Sequence, residues 1–284
     1  MGLSMYKGFA FTHPGYSHEA KDAPCQDAAE CTVGDAYAIA AISDGHGGEK
    51  YFRSKLGSFF AVKTATHCLE NFLENHRASL IDVPETQWRK SLKDIENNII
   101  YNWRSHIKRQ FKRKTLTPEE KELCARYNIS ADKFKAHFYG ATLLYACMTP
   151  DYSFASQIGD GACVSFEADG TPCLPMPEDD RLGFSVTTSL CDSDPSGNFR
   201  RYFWPASKGL PRGIFLCTDG VVDSYERDSF LRFNRIVFDE MHKNEEHAKK
   251  QLEEWLPKLS EQGSRDDVSM AGVYSDDESE SQDI

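Results

Sequence analysis

Ala38-Ile39-Ala40-Ala41-Ile42-Ser43-Asp44-Gly45-His46-Gly47-Gly48 is the stretch around which this sequence is organised. A short run of small and apolar residues reads as a buried strand. It ends on a carboxylate, which at the rim of a core is costly unless something compensates its charge. A metal ion is one common compensation. Gly45, Gly47 and Gly48 carry no Cβ, so the backbone can turn sharply there and come close to a ligand. A strand that simply ends in a polar turn is the plain alternative, and residues far along the chain decide between the two.

Two further stretches repeat the design. Gly213 to Thr218 is an apolar run that lands on Asp219-Gly220, with Asp223 close behind, and Phe154 to Gly159 lands on Asp160-Gly161. Gln26-Asp27 precedes an alternating segment, and Gly263-Ser264-Arg265-Asp266-Asp267 precedes the apolar strand Val268 to Tyr274. Converging strand-end carboxylates make an oxygen-rich site suited to hard divalent cations.

The blocks Cys25-Gln26-Asp27-Ala28, Ser43-Asp44-Gly45-His46-Gly47-Gly48, Gly140-Ala141-Thr142-Leu143, Ile158-Gly159-Asp160-Gly161, Cys217-Thr218-Asp219-Gly220-Val221-Val222-Asp223 and Ser264-Arg265-Asp266-Asp267-Val268-Ser269 carry a resemblance. In this order they resemble the metal-dependent serine/threonine protein phosphatases of the 2C type, in their bacterial-type branch. The resemblance runs from about residue 16 to 274. It implies two or three Mn²⁺ or Mg²⁺ ions and in-line attack on a phosphomonoester by a water bridging two of them. Asp44 would bridge both ions, Gly45 would offer its backbone carbonyl to one, and Asp219 and Asp266 would hold the other. Asp27 would bind directly or orient bound waters, and Asp160 and Asp223 match positions for a third, weaker ion. His46 would protonate the leaving serine or threonine oxygen, with a hydrogen-bonded turn histidine as its plain alternative.

The chain departs from that pattern in three places. Gln26 stands where many members have glutamate. Asp267 stands where asparagine is usual, placing a charge beside Asp266, so the acidic count near the ions is expected to be about preserved. An arginine that would grip the substrate phosphate in bidentate fashion is missing, and Lys21 and His18 are the nearby candidates. The plainer reading of Lys21, and the favoured one, is a solvated loop lysine.

Composition bounds the rest. A chain of 284 residues, 40% hydrophobic, can bury a sizeable core. A net charge of −11 argues against nucleic acid or an anionic membrane as partner. The nine cysteines are scattered without paired CxxC spacing, which argues against structural zinc. With no secretory signal, reduced thiols and a cytoplasmic setting are expected. No apolar run approaches the roughly 20 residues that span a bilayer.

Along the chain, residues 5–12 read as a first strand, 13–27 as a loop and 28–43 as a hairpin turning at Gly34-Asp35. Helical spacing predicts helices over 49–74 and 86–108, the latter with Trp88, Leu92, Ile95, Ile99 and Trp103 on one face. The basic cluster Arg104, Lys108, Arg109, Lys112, Arg113 and Lys114 reads as the solvated end of a helix and an inserted loop, or as a dock for an acidic or phosphorylated partner. Thr117-Pro118-Glu119-Glu120 is a helix start, with a further short helix expected after Ser130. Strands over 137–148, 152–157 and 162–167 are expected to form a meander, and 168–198 a loop with one short strand, Phe184 to Cys191. Strands at 200–206 and 213–218, helices at 226–241 and 244–260 and a last strand at 267–274 complete the pattern.

Elements that come in like pairs, without strict alternation, point to α+β with antiparallel sheets. The resemblance adds a four-layer αββα sandwich of two antiparallel sheets flanked by helix pairs. One catalytic domain over 1–274 is expected, with variable insertions at about 104–136 and 168–198, then an acidic disordered tail over 275–284. The expected activity is a phosphoprotein phosphatase, a monomer acting on a phosphorylated protein. Two rival readings are a catalytically weak phosphatase-like module that binds phosphorylated partners, and a hydrolase of small phosphate esters.

Overall fold

The unbroken apolar run at residues 38–43 arises because this strand is covered on both faces. Ile39 and Ala41 pack toward helices, whereas Ala38, Ala40 and Ile42 pack toward a second sheet. The computed structural model describes residues 5–20, 22–131, 133–179, 181 and 187–276.

The chain runs β1 (Tyr6–His13), α1 (Tyr16–Glu19), β2 (Ala28–Val33), β3 (Ala38–Ser43), α2 (Ser54–His76), α3 (Glu85–Arg113), α4 (Pro118–Arg126), β4 (Leu143–Met148) and β5 (Tyr152–Ile158). It continues through β6 (Ala162–Phe166), β7 (Pro172–Cys173), β8 (Arg200–Pro205), β9 (Gly213–Cys217), α5 (Asp219–Val222), α6 (Arg227–Lys243), α7 (Glu245–Gln262) and β10 (Val268–Ser275). One sheet has the order β1-β10-β9-β6-β7 and the other β2-β3-β4-β5-β8. Every paired strand is antiparallel. α2 and α3 cover the second sheet through residues such as Ala65, Leu69, Leu92 and Trp103. α6 and α7 cover the first through Phe230, Val237, Leu252 and Leu256. Small residues fill the space between the sheets, among them Ala40, Ala146, Ala155 and Ala271. The α+β reading and the four layers are borne out. Among the described residues no helix is long and apolar enough to cross a membrane.

Four local expectations are corrected. The meander breaks after β5, because β6 pairs with β9 in the other sheet. The chain crosses between sheets at Gly159-Asp160-Gly161, where Gly159 has φ +116° and a Cβ on Gly161 would stand 2.5 Å from the Cys217 carbonyl oxygen. Only glycines fit this crossing, and it sets Asp160 on the rim. Residues 136–139 form a 3₁₀ turn in place of the start of a strand, and carbonyls of the turn and of Gly140 just after it serve neighbouring segments: Phe138 takes the Arg53 N–H and Gly140 the His46 N–H. No helix forms among the described residues just after Ser130. Of the strand expected over 184–191, residues 184–186 lie outside the described residues and 187–191 are not strand, since their polar groups bond to two loops of the site.

α3 also runs further than its apolar period indicates, through Arg113, so Arg104 to Arg113 are helical. Phe111 extends the packing against Phe134 and Phe138. Arg53 ties the following segment down, with Glu120 at 2.7 Å, the Lys114 carbonyl at 3.2 Å and the Tyr139 hydroxyl at 3.0 Å. α4 starts as expected, with a full capping box between Thr117 and Glu120.

Candidate metal and phosphate site

Strand register brings the acids together. Ala28 pairs with Ser43, so Asp27 and Asp44 stand side by side just past the ends of β2 and β3. Asp44 is fixed by its backbone: its N–H donates to Thr142 Oγ1 at 2.9 Å and its carbonyl accepts from the Thr142 N–H at 2.8 Å. Cys217 pairs with Met270, which sets Thr218 beside Ser269 and starts α5 on Asp219. Asp27 is 9% exposed, and its Oδ2 accepts hydrogen bonds from Thr218 Oγ1 at 2.9 Å and Ser269 Oγ at 2.7 Å. These two hydroxyls tie β2 to the β9 and β10 ends in the other sheet, which assembles the site across the sandwich.

Carboxylate oxygens of Asp44, Asp160 and Asp219 lie within 4.8 Å of one another. They face a cavity of about 640 Å³ whose floor also includes Gln26, Gly45 and Asp266. A Cβ on Gly45 would stand 2.6 Å from the Gln26 carbonyl oxygen, so this turn admits only glycine. The opposite wall is His46, Tyr51, His137, Ser189, Cys191 and Asp192.

The electrostatics of this floor are those of anions short of a counter-charge. Burial, reinforced by Asp27, Asp219 and Asp160, pushes the Asp44 carboxyl well above the usual range. Burial chiefly raises Asp27 to about 8, with Asp267 and Asp219 adding to it against the Ser269 hydrogen bond. Asp219 rises to about 7, through burial first and then Asp160 and Asp266. Asp223 is raised for the same reasons, but it sits one turn along α5 and does not line the cavity. Asp160 Oδ1 is buried with no hydrogen-bond partner among the described residues. Hard oxygen donors, an orphaned carboxylate oxygen and three elevated carboxyls together fit divalent cations of the magnesium and manganese type.

His46 is held at two points. Its N–H donates to the Gly140 carbonyl at 3.1 Å, and its ring Nε2 lies 2.8 Å from Ser189 Oγ. Tyr51 meets the ring edge-on with centroids 4.8 Å apart. Burial lowers the His46 imidazole to about 4, with Asp160 pulling the other way.

The phosphate-binding candidates fall differently. Lys21 lies outside the described residues. His18 does not line the cavity; its Nδ1 sits 2.7 Å from Asp267 Oδ1. Among the described residues no lysine or arginine lines the cavity. Sequence reasoning missed Ser189, His137, Cys191 and Asp192, which come from segments without a motif; the run Thr187-Thr188-Ser189 in a segment poor in apolar residues was the available signal.

The sequence model of the family Protein phosphatase 2C matches residues 14–257. No curated protein matches the chain in sequence. Among solved structures, a bacterial serine phosphatase carrying an arginine-to-glutamate substitution is 15% identical, with a TM-score of 0.56 over 96% of this chain and 99% of that one. The catalytic domain of the serine/threonine protein phosphatase PstP in complex with two manganese ions is 14% identical, with a TM-score of 0.55 over 96% of this chain and 99% of that one. The Mycobacterium tuberculosis serine/threonine phosphatase PstP/Ppp is 12% identical, with a TM-score of 0.57 and the same coverage of 96% and 99%. At these identities the likeness concerns the fold.

Proposed function

This chain belongs to the protein phosphatase 2C family, and from that premise we propose how its own residues hydrolyse phosphoserine and phosphothreonine in proteins. It is a metal-dependent phosphoprotein phosphatase; the family match supports this reading over a catalytically weak binding module. The observation that carries the site assignment is the converging cluster of Asp44, Asp160 and Asp219, with a buried and orphaned Asp160 oxygen, facing one cavity beside His46.

Asp44, the Gly45 carbonyl, Asp219 and Asp266 would hold two Mn²⁺ or Mg²⁺ ions, as the two manganese ions of PstP suggest, with Asp27 behind them and Asp160 and Asp223 available to a third. Such ions supply an acidified water and a clamp on the phosphoryl oxygens. The chain's own residues do the rest. Thr218 and Ser269 fix the Asp27 carboxylate, and Thr142 fixes Asp44, so the acids are oriented before any ligand arrives. His46 faces the cavity from the other wall and donates a proton to the departing alkoxide. Burial lowers the proton affinity of its ring, and a phosphate dianion beside it raises it. The protein acts as a cytoplasmic monomer on phosphorylated proteins, in keeping with a net charge of −11 and nine unpaired cysteines.

Phosphate release from a phosphothreonine peptide, with Mn²⁺ and with excess EDTA, tests the reading. Turnover should require the metal, and Asp44→Asn should abolish it while the melting curve stays cooperative. Full activity in EDTA would remove the metal from the mechanism.

A further inference from the structure

The segment from Thr187 to Asp192 forms no strand, yet Thr188 and Ser189 are only 8% and 3% exposed. Its polar groups bind the two loops that carry the chemistry. Thr188 Oγ1 accepts from the Gly159 N–H at 2.9 Å, next to Asp160. The Leu190 N–H donates to the Ala141 carbonyl at 3.0 Å, beside the Gly140 that receives the His46 N–H. The segment is anchored from behind as well: Asp192 Oδ2 accepts from the Ser189 N–H at 2.9 Å and from Asn198 Nδ2 at 2.8 Å. Arg104 donates to the Asp192 carbonyl at 3.0 Å.

Ser189 Oγ therefore meets His46 from a fixed position, 2.8 Å from Nε2. The same oxygen lies 3.1 Å from the Ala141 carbonyl and 3.3 Å from the Cys191 N–H. A hydroxyl has one hydrogen to give and two lone pairs to receive with. The Cys191 N–H only donates and takes one lone pair, while the Ala141 carbonyl only accepts and is also served by the Leu190 N–H; Cys191 Sγ lies 3.2 Å from the same oxygen. The contact to the ring holds in either tautomer, with Oγ accepting from Nε2–H or donating to Nε2, so in both the imidazole is held by a hydroxyl that its other partners keep in place.

We propose that Ser189 is the positioning residue for His46: its hydroxyl fixes the orientation in which the imidazole meets the leaving group. The proposal rests on the reading of His46 as the general acid and extends it to a residue outside the recognised motifs. It also makes the inserted segment part of the acid, because whatever shifts residues 187–192 releases the ring. A leaving group that needs a proton is then sensitive to the segment, and one that leaves as a stable anion is not.

Kinetics at saturating Mn²⁺ give the readout, as the ratio of kcat on a phosphoserine peptide to kcat on p-nitrophenyl phosphate. Ser189→Ala should lower that ratio about tenfold, a part of the range for general acid catalysis, with KM changed much less. Ser189→Thr should restore it, and adding Ser189→Ala to His46→Ala should cost nothing more. Equal losses on both substrates, or no restoration by a folded threonine variant, refute the role. If His46→Ala lowers the ratio and Ser189→Ala does not, only the positioning role falls. If His46→Ala leaves the ratio unchanged, the acid assignment falls and the positioning role goes with it.

Discussion

The buried acids predict an unusual pH dependence for the metal-free protein. The Asp219 carboxyl is raised from 3.8 to about 7, and Asp27 and Asp44 are raised beside it. The folded state thus holds a proton at pH values where the unfolded chain has released it. Its stabilising effect is complete below the unfolded value and is lost as pH climbs through the folded one. The three carboxyls share one field, so a single retained proton is the conservative count. A rise from 3.8 to about 7 corresponds to about 4 kcal/mol at ~1.36 kcal/mol per unit. For a chain of this size that is roughly 10 °C in melting temperature. Thermal melts in EDTA from about pH 4.5 to about pH 8 should therefore show falling stability. Asp219→Asn carries no titrating proton and keeps an oxygen for the Gly220 N–H, now 2.7 Å from Asp219 Oδ1; its curve should be flatter. Excess Mn²⁺ should flatten the wild-type curve as well, because the ion binds the ionised acids and stabilises the folded state by mass action. Metal-free curves of the same slope for wild type and Asp219→Asn would refute the reasoning.

Three shorter predictions follow from other parts of the structure. Gln26→Glu adds a carboxylate to the cavity floor and should lower the Mn²⁺ concentration for half-maximal activity about tenfold, equivalent to ~1.4 kcal/mol; an unchanged midpoint in a metal titration places Gln26 outside the ligand set. Asp267→Ala leaves the Gly15 and Gln26 N–H groups without their acceptor and should cost about 2–4 kcal/mol in urea unfolding, whereas a loss below ~1 kcal/mol means that water replaces the carboxylate. Thr117→Ala removes the capping box of α4 and should cost about 1 kcal/mol, read as faster amide exchange over residues 118–126 with kcat on p-nitrophenyl phosphate unaffected.

What could be read from the sequence depended on how local the deciding physics was. β3 and the Asp44 that ends it were legible, because an apolar run landing on an acid and glycines is a pattern within one window. The layers were legible from the pairing of like elements. The crossing of β6 into the other sheet was not, since a period of two says which residues face inward but not which strand lies alongside. The signal was Gly159 and Gly161 on either side of Asp160, where two backbones come too close for a side chain. The end of α3 was misplaced because its apolar period fades after Ile107, while Phe111 and Gln110 continue it through contacts to residues 134–139. Residues 187–192 were the least legible. Their structure is set by hydrogen bonds to loops more than 25 positions away, and a polar segment records no partner in its own pattern.

Asp267 shows how a substitution that looks like a moved charge serves another purpose. Beside Gln26 in the sequence argument, it reads as a carboxylate that makes up for the missing glutamate. In the structure it is 3% exposed, with Oδ1 accepting from the Gly15 N–H at 2.6 Å and lying 2.7 Å from His18 Nδ1. Its other oxygen accepts from the Gln26 N–H at 2.6 Å. Both oxygens are engaged by the loop that delivers Gln26 and Asp27 to the site. An asparagine there has one acceptor oxygen and an NH₂ that would face a donor, so this loop conformation favours the aspartate. The carboxylate lines the cavity and adds negative potential there, as its effect on Asp27 records, but both of its oxygens are tied to the N-terminal loop. Gln26 and Asp267 are therefore not exchanged charge for charge: one sets the ligand strength of the floor, the other holds the loop on which that floor is carried.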